Sequence, residues 1–150
     1  MKKNRFGTWL VLLLIGLVTL TLGGRVVAQG RPFSTALDGA AEVPGPGDPD
    51  GTGIADVTLN YGQAEVCFTL NVSGIALPAT GAHIHVAPVG VAGPVVVPLT
   101  PPDATGVSTG CVSSVNQDLI KAIIQHPEEY YVNVHNADFP AGAVRGQLSK

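Results

Sequence analysis

Two short stretches of this 150-residue chain carry histidines in a pattern that can bind a metal ion. His83 and His85 lie in Gly81-Ala-His-Ile-His-Val86, and His135 ends the stretch Tyr130-Tyr-Val-Asn-Val-His135. Successive side chains of a β-strand point to opposite faces, so His83 and His85 share a face if their stretch is a strand. Imidazole is a common ligand of copper and zinc, and a third histidine from a neighbouring strand would complete a facial set. The spacing therefore predicts a copper or zinc site formed by His83, His85 and His135.

Two other roles for these histidines stay open at the level of sequence. They can lie on a plain solvent-exposed face of a sheet, or they can form hydrogen bonds that fix neighbouring loops. The metal hypothesis requires the three imidazoles to lie within about one side chain's reach on the outer face. His126 is left out of the site, because its position before Pro127 suits capping of a helix C-terminus.

Arg145 is a second candidate binding residue. It shares a strand face with Gln147, two positions further along the chain. An arginine here can bind an anion, or it can form a salt bridge or a hydrogen bond to a loop. The acidic partners that we expect for a salt bridge are Glu42, Asp56 or Asp138. No catalytic residue is predicted, because the chain has no Gly-x-Ser-x-Gly motif and no Gly-rich loop that opens a helix.

The chain contains two cysteines, Cys67 and Cys111. In an exported domain, an even number of cysteines indicates a disulfide bond, and buried free thiols are the alternative. Nothing beside either residue in the sequence would lower the pKa of its thiol, which argues against a cysteine nucleophile.

The first 28 residues have the organisation of a secretory signal peptide. A basic start is followed by the apolar run Trp9–Leu22 and then by Val26-Val-Ala28. We predict cleavage after Ala28, which leaves one domain of residues 29–150 that is secreted or extracytoplasmic, as at the cell surface. The alternative is an uncleaved membrane anchor, although the apolar run is shorter than the ~20 residues that span a bilayer.

Removal of this leader makes the remaining chain acidic. Four basic residues then stand against all eleven acidic ones, which gives a formal net charge of −7. Such a charge argues against nucleic acid as a partner and against binding to anionic membrane surfaces. Contact with a membrane is expected only if the leader stays attached.

Alternation of apolar and polar residues dominates the rest of the sequence. It is clearest in Glu65–Val72, which the turn Asn60-Tyr-Gly62 joins to Gly53–Leu59 as a hairpin. The helical pattern in the segment 116–125 begins at a capping Asn116 or Asp118 and stops at Pro127. The pattern predicts an all-β fold: an antiparallel Greek-key β-sandwich or barrel of about eight strands with one short helix. The other predicted strands are Phe33–Leu37, the two histidine stretches, Val95–Leu99, Val107–Val112 and Ala143–Leu148.

Taken together and in this order, several segments resemble the CHRD domain, a module named from chordin and also found in bacterial exported proteins. The resemblance implies an extracytoplasmic β-sandwich-type domain and brings no settled biochemical activity. The segments that carry it run from Phe33 to Leu148 and are Leu37-Asp-Gly-Ala-Ala-Glu-Val-Pro44, Leu70-Asn-Val-Ser-Gly74, Ala82-His-Ile-His85, Gly93-Pro-Val-Val-Val-Pro-Leu99, Tyr131-Val-Asn-Val-His135, Phe139-Pro140 and Val144-Arg-Gly-Gln-Leu148.

The histidine pattern is also similar, more faintly, to copper–zinc superoxide dismutase, a Greek-key β-barrel. That likeness rests on the His-x-His strand, on the late His135 and on Arg145, which corresponds in position to a late arginine that steers an anion. Between His85 and His135, only His126 is available to replace the histidines of the dismutase zinc loop, so the bridging histidine of its copper site would be missing.

The sequence therefore predicts an exported, non-enzymatic binding module whose ligand is an extracellular protein, a matrix component or a metal ion. The alternative is a copper- or zinc-binding redox protein of dismutase-like architecture that uses His83, His85 and His135. Copper or zinc is the cofactor only if these three histidines bind metal.

Overall fold

The computed structural model describes residues 30–150, and the predicted signal peptide lies outside the described residues. The described part contains eight β-strands, one α-helix and three single turns of 3-10 helix. No helix within it has the length and apolar character needed to cross a membrane. The strands are β1 (Arg31–Asp38), β2 (Thr52–Asn60), β3 (Glu65–Ser73), β4 (Gly81–Val86), β5 (Val95–Leu99), β6 (Val107–Val112), β7 (Tyr130–His135) and β8 (Val144–Gln147); the helix is α1 (Gln117–Gln125), and the 3-10 turns are Gly39–Ala41, Tyr61–Gln63 and Pro127–Glu129.

All eight strands belong to one antiparallel sheet with the order β5-β4-β7-β8-β1-β2-β3-β6. The two edge strands come together, because the Ser108 hydroxyl in β6 donates to the carbonyl of Thr100 directly after β5, at 2.8 Å. The sheet is thus a nearly closed barrel. The predicted all-β fold of about eight antiparallel strands with one helix is confirmed.

The core follows from the alternation of each strand. In β3 the side chains of Val66, Phe68, Leu70 and Val72 are buried, while the residues between them are exposed or half-buried. The inward residues of β2, β4 and β7 meet them in a single cluster. Burial of each such aliphatic side chain contributes roughly 1.5–3 kcal/mol to the free energy of folding.

Helix α1 packs beside the 3-10 turn after β2 and beside β2 itself. Its N-cap is Asn116, whose side-chain oxygen accepts from the backbone amides of Asp118 and Leu119. Ile120 and Ile123 on the apolar stripe are fully buried. The helix predicted over 116–125 is therefore present, with its first residue serving as the cap.

The outer face of β4, β7 and β8 differs from the solvent-exposed face that simple alternation predicts. Tyr131 and Asn133 of β7 and Arg145 of β8 point outward and are nevertheless buried. The β4–β5 loop (residues 87–94) covers this face and is hydrogen-bonded to β8. The connection between β1 and β2 lies nearby, where Asp48 donates its backbone amide to the carbonyl of Ala143.

Candidate metal centre

The pairing register of β4 and β7 brings the three predicted histidines together. Gly81 lies opposite His135, and His83 lies opposite Asn133 on the same outer face. One ring nitrogen from each of His83, His85 and His135 lies within 4.8 Å of the others. The shortest of these contacts joins His83 Nδ1 to His135 Nε2 at 3.1 Å. The three imidazoles thus lie within one side chain's reach of one another, as the metal hypothesis requires, and metal binding itself stays a prediction.

His85 is the most enclosed of the three, with 8% of its surface exposed. Its Nδ1 atom lies 2.8 Å from the carbonyl oxygen of Gly93. A carbonyl only accepts hydrogen bonds, so we infer that Nδ1 carries the proton and that Nε2 has a free lone pair. That Nε2 atom is buried and has no hydrogen-bond partner. The His85 ring also stacks on Tyr131, with 4.7 Å between centroids and 9° between planes.

His135 is oriented by the same kind of contact. Its Nδ1 atom lies 3.1 Å from the carbonyl oxygen of Pro140, so its Nε2 atom also has a free lone pair. In the neutral, metal-free protein, His83 must then donate its Nδ1 proton to His135 Nε2. Backbone carbonyls that hold the second nitrogen of a metal-binding histidine are a recurrent feature of metal sites.

The separation of the two closest nitrogens suits a shared metal ion. With metal–nitrogen bonds of about 2.0–2.1 Å, two ligands at 90–109° around one ion are about 2.8–3.4 Å apart. The 3.1 Å between His83 Nδ1 and His135 Nε2 falls in this range. An ion between these atoms would replace the proton that they otherwise share.

The electrostatics of the site favour the uncharged imidazoles that metals require. Burial lowers the pKa of His83, and the neighbouring His135 and His85 lower it further. Burial also lowers the pKa of His135, with a smaller contribution from His85, while the contact to Pro140 acts in the opposite direction. At neutral pH these two histidines are therefore mainly in the uncharged form, which is the form able to bind a cation.

Gly81 gives the histidine rings the space that they occupy. A Cβ atom at this position would lie 3.2 Å from His83 Cε1 and 3.4 Å from His135 Cδ2. The first of these distances is tight for carbon atoms and the second is an ordinary contact, so a larger residue at position 81 would press on the ring of His83.

Comparison with known proteins adds one finding. A family model for the CHRD domain matches residues 33–148, which is well over half of the chain and contains nearly the whole sheet. The chain belongs to the CHRD-domain family. No curated protein and no solved structure gave a significant match.

Arg145 of this CHRD domain lies opposite Asn133 and is 2% exposed. Its guanidinium donates to the carbonyl oxygens of Val91 (3.0 Å) and Pro88 (3.2 Å), and it lies 3.4 Å from the ring centroid of Tyr131. These contacts are those of a residue that holds a loop. Burial lowers the pKa of Arg145, and Tyr131 acts against that shift, but an arginine stays protonated at neutral pH.

The acidic partners expected for Arg145 do not form a close ion pair with it. Within residues 30–150, no carboxylate oxygen lies within 4.0 Å of the guanidinium. Of the three expected partners, Glu42 is the one whose charge raises the pKa of Arg145, against the effect of burial.

Glu42 is a feature of the CHRD domain that sequence reasoning named only as a salt-bridge partner. It is 5% exposed, and its Oε1 atom has no hydrogen-bond partner. Burial raises its pKa to about 7, although Asn133, Arg145 and the Val43 backbone amide act in the opposite direction. Asn133 Oδ1 is likewise buried without a partner. The sequence signal is slight, since Glu42 precedes a loop rich in Pro and Gly.

The disulfide bond predicted between Cys67 and Cys111 is present and links β3 to β6, where the two residues lie directly opposite each other. Glu65 Oε1 lies 3.2 Å from the Cys67 sulfur. Oxidised sulfurs are not thiolate ligands, so this group of two cysteines and one carboxylate does not form a second metal centre.

His126 lies away from the three-histidine group, as expected from its position beside Pro127. It is the C-cap residue of α1, and its backbone amide donates to the carbonyl of Ala122. Its exposed imidazole lies 3.6 Å from the carboxylate of Glu128.

Proposed function

We propose that this CHRD domain is a non-enzymatic binding module that acts outside the cytoplasm. Its ligand is a copper or zinc ion held by His83, His85 and His135. The observation that carries the proposal is the buried, unpartnered Nε2 atom of His85, whose ring lies beside the two other histidine rings. A buried nitrogen lone pair without a partner is unfavourable unless something occupies the position that it faces.

Three further features support a metal ion as that occupant. The Gly93 and Pro140 carbonyls accept hydrogen bonds from the Nδ1 atoms of His85 and His135, which leaves their Nε2 atoms without a proton. The lowered pKa values keep His83 and His135 neutral near pH 7. The acidic chain does not oppose a cation, and imidazole is a suitable ligand for both copper and zinc.

A redox enzyme of dismutase-like architecture is less well supported by the same geometry. Such a copper site needs a bridging histidine, and the group formed by residues 30–150 contains three histidines with no fourth. His126 cannot serve, because it lies at the end of α1 beside Glu128. Arg145 is turned toward loop carbonyls and an aromatic ring, so it is not free to steer an anion.

Export of the protein is supported by two observations. CHRD domains occur in extracellular proteins, and the Cys67–Cys111 disulfide suits an oxidising compartment. N-terminal sequencing of the protein recovered from outside the cytoplasm tests this part of the proposal. The expected first residue is Gln29, and an intact Met1 would support the membrane-anchor alternative.

Calorimetric titration of the purified protein with Cu²⁺ and Zn²⁺ tests the metal site, with bound metal measured after dialysis. We expect about one equivalent of metal for the unchanged protein. His83→Ala, His85→Ala and His135→Ala should each weaken binding at least tenfold, since each removes one of three ligands. His126→Ala is the matched control, because it removes an exposed histidine outside the group, and it should leave binding unchanged.

Two results would contradict the proposal. One is the failure of either metal to bind at neutral pH. The other is a loss of binding in the His126→Ala control as large as that in His85→Ala, which would mean that the metal binds loosely to surface histidines. In either case, a protein or matrix ligand on another surface would be the remaining interpretation.

A further inference from the structure

We propose that Arg145 is a positioning residue for His85, which it acts on through the β4–β5 loop and through Tyr131. The proposal rests on the three-histidine site described above, and it adds what holds the most enclosed histidine of that site in its binding orientation.

The β4–β5 loop cannot hold itself in place with its own side chains. Its sequence, Ala-Pro-Val-Gly-Val-Ala-Gly-Pro, contains no polar side chain. Its largest apolar residues, Val89 and Val91, are 76% and 48% exposed, so burial of apolar surface does little to fix them. The loop must therefore be anchored through its backbone by side chains from elsewhere in the domain.

Arg145 and Gln147 of β8 supply most of those anchors. Arg145 Nη1 donates to the carbonyl of Val91, and Nη2 donates to the carbonyl of Pro88. Gln147 Nε2 donates to the carbonyl of Ala87 at 2.8 Å, and its Oε1 atom accepts from Arg145 at 3.3 Å. The guanidinium thus forms hydrogen bonds at both sides of the turn at residues 88–91, which is the tip of the loop.

The far end of the same loop is the part that touches the metal site. The carbonyl of Gly93 accepts a hydrogen bond from His85 Nδ1, and the amide of Gly93 donates to the Tyr131 hydroxyl at 3.2 Å. A shift of the loop would move this carbonyl and free the His85 ring. In that way a residue of β8 sets the orientation of a histidine on β4.

A second connection runs through an aromatic stack. Tyr131 lies between the guanidinium of Arg145 on one side and the parallel imidazole of His85 on the other. Arginine suits this position and lysine does not, because only the planar guanidinium can stack on a ring while it donates to several separate oxygens.

Simple electrostatics predicts the opposite consequence, which makes the proposal testable. Arg145 is a cation near a proposed cation site, so removing its charge should strengthen metal binding if charge is all that matters. If Arg145 acts by positioning, removing it should weaken binding even though a repulsive charge is lost.

The experiment compares the unchanged protein with Arg145→Met and Arg145→Lys by two measurements. The first is nitrogen-detected imidazole NMR of the metal-free protein, which reports the tautomer of His85 and the exchange rate of its Nδ1 proton. The second is zinc affinity by calorimetry. Arg31→Met is the control, since Arg31 is an exposed residue of β1 whose guanidinium lies over the ring of Phe33.

We expect the unchanged protein and Arg31→Met to show a single His85 tautomer with a slowly exchanging Nδ1 proton. Both Arg145 variants should lose that protection, and their zinc affinity should fall about 10- to 100-fold, as for other residues that orient metal ligands. Tyr131→Phe removes the hydroxyl contact to Gly93 and keeps the stack, so it should give a smaller loss; it also serves if the Arg145 variants fail to fold.

The proposal would be overturned if Arg145→Met kept the His85 tautomer and the slow exchange of its Nδ1 proton. Tighter zinc binding in that variant would overturn it as well. The NMR measurement needs no metal. If the unchanged protein binds no zinc but His85 still depends on Arg145, the proposed function fails while the positioning contact stands.

Discussion

The free energy of unfolding of this CHRD domain should fall as the pH rises toward 7, and replacement of Glu42 by glutamine should abolish that fall. Burial raises the pKa of Glu42 from an ordinary 4.5 to about 7 in the folded state. Between these two values the folded protein holds a proton that the unfolded chain has released. Stability from this group is therefore complete below about pH 4.5 and is lost progressively as the pH rises toward 7.

The size of the effect follows from the two pKa values. At 1.36 kcal/mol per pKa unit, the difference between 4.5 and about 7 amounts to a total loss of about 3 kcal/mol. Most of it, about 2.5 kcal/mol, falls between pH 5 and pH 8. A buried glutamine carries no charge at any of these pH values, so its burial adds no pH-dependent cost to the free energy of folding.

Urea unfolding of the two proteins at about pH 5 and about pH 8 measures this difference, with a chelator present to remove any metal. Glu42→Gln should be within about 1 kcal/mol of the unchanged protein at the lower pH and more stable by about 3 kcal/mol at the higher pH. Glu129→Gln, which alters an exposed carboxylate, is the control and should follow the unchanged protein at both.

The reasoning is refuted if the free energies of the unchanged protein and Glu42→Gln differ by the same amount at both pH values. A Glu42→Gln protein that is less stable at about pH 8 would be a stronger refutation. It would mean that Arg145 and Asn133 hold a charged Glu42 more favourably than its burial disfavours it.

Three further predictions concern the disulfide, the helix and the metal site. Replacing Cys67 and Cys111 by serine should lower the free energy of unfolding by about 4 kcal/mol, because the bond closes a loop with a sequence separation of 44, and urea unfolding measures this. Asn116→Ala should cost about 1 kcal/mol by removing the N-cap of α1, and the urea midpoint of Asn116→Ser should stay close to that of the unchanged protein. Gly81→Ala should weaken zinc binding by about tenfold in calorimetry, because its Cβ would press on the ring of His83.

Much of the fold was predictable because alternation is strong where one face of a strand is buried. In β3 the inward residues Val66 and Phe68 alternate with Cys67 and its polar neighbours, and this pattern predicts the strand and excludes a register slip of one residue. The helix was predictable for a similar reason, since its apolar stripe begins at the capping Asn116 and ends before a proline. The family resemblance from Phe33 to Leu148 agrees closely with the match over residues 33–148.

The candidate site was predictable in its members and not in its surroundings. Alternation places His83 and His85 on one face, and the similar pattern that ends in His135 suggested a neighbouring strand. Alternation says nothing about what covers a face, so the burial of His85 beneath a loop could not be seen. The same limit applies to Glu42, whose burial depends on how distant loops fold back over β7 and β8.

The β4–β5 loop shows where a physical signal was nevertheless present in the sequence. An eight-residue loop with no polar side chain needs side chains of other elements to hydrogen-bond its backbone. A substitution that displaces this backbone, at a residue packed closely against another element, should therefore disturb those hydrogen bonds. At Gly93 an added Cβ would overlap the carbonyl oxygen of Val86, whereas Val89 points into solvent. Gly93→Ala should therefore displace the carbonyl that holds His85 and weaken zinc binding at least tenfold, while Val89→Ala should change neither zinc affinity nor the His85 imidazole spectrum. Equal zinc affinities for the two variants would show that the loop does not govern the histidine site.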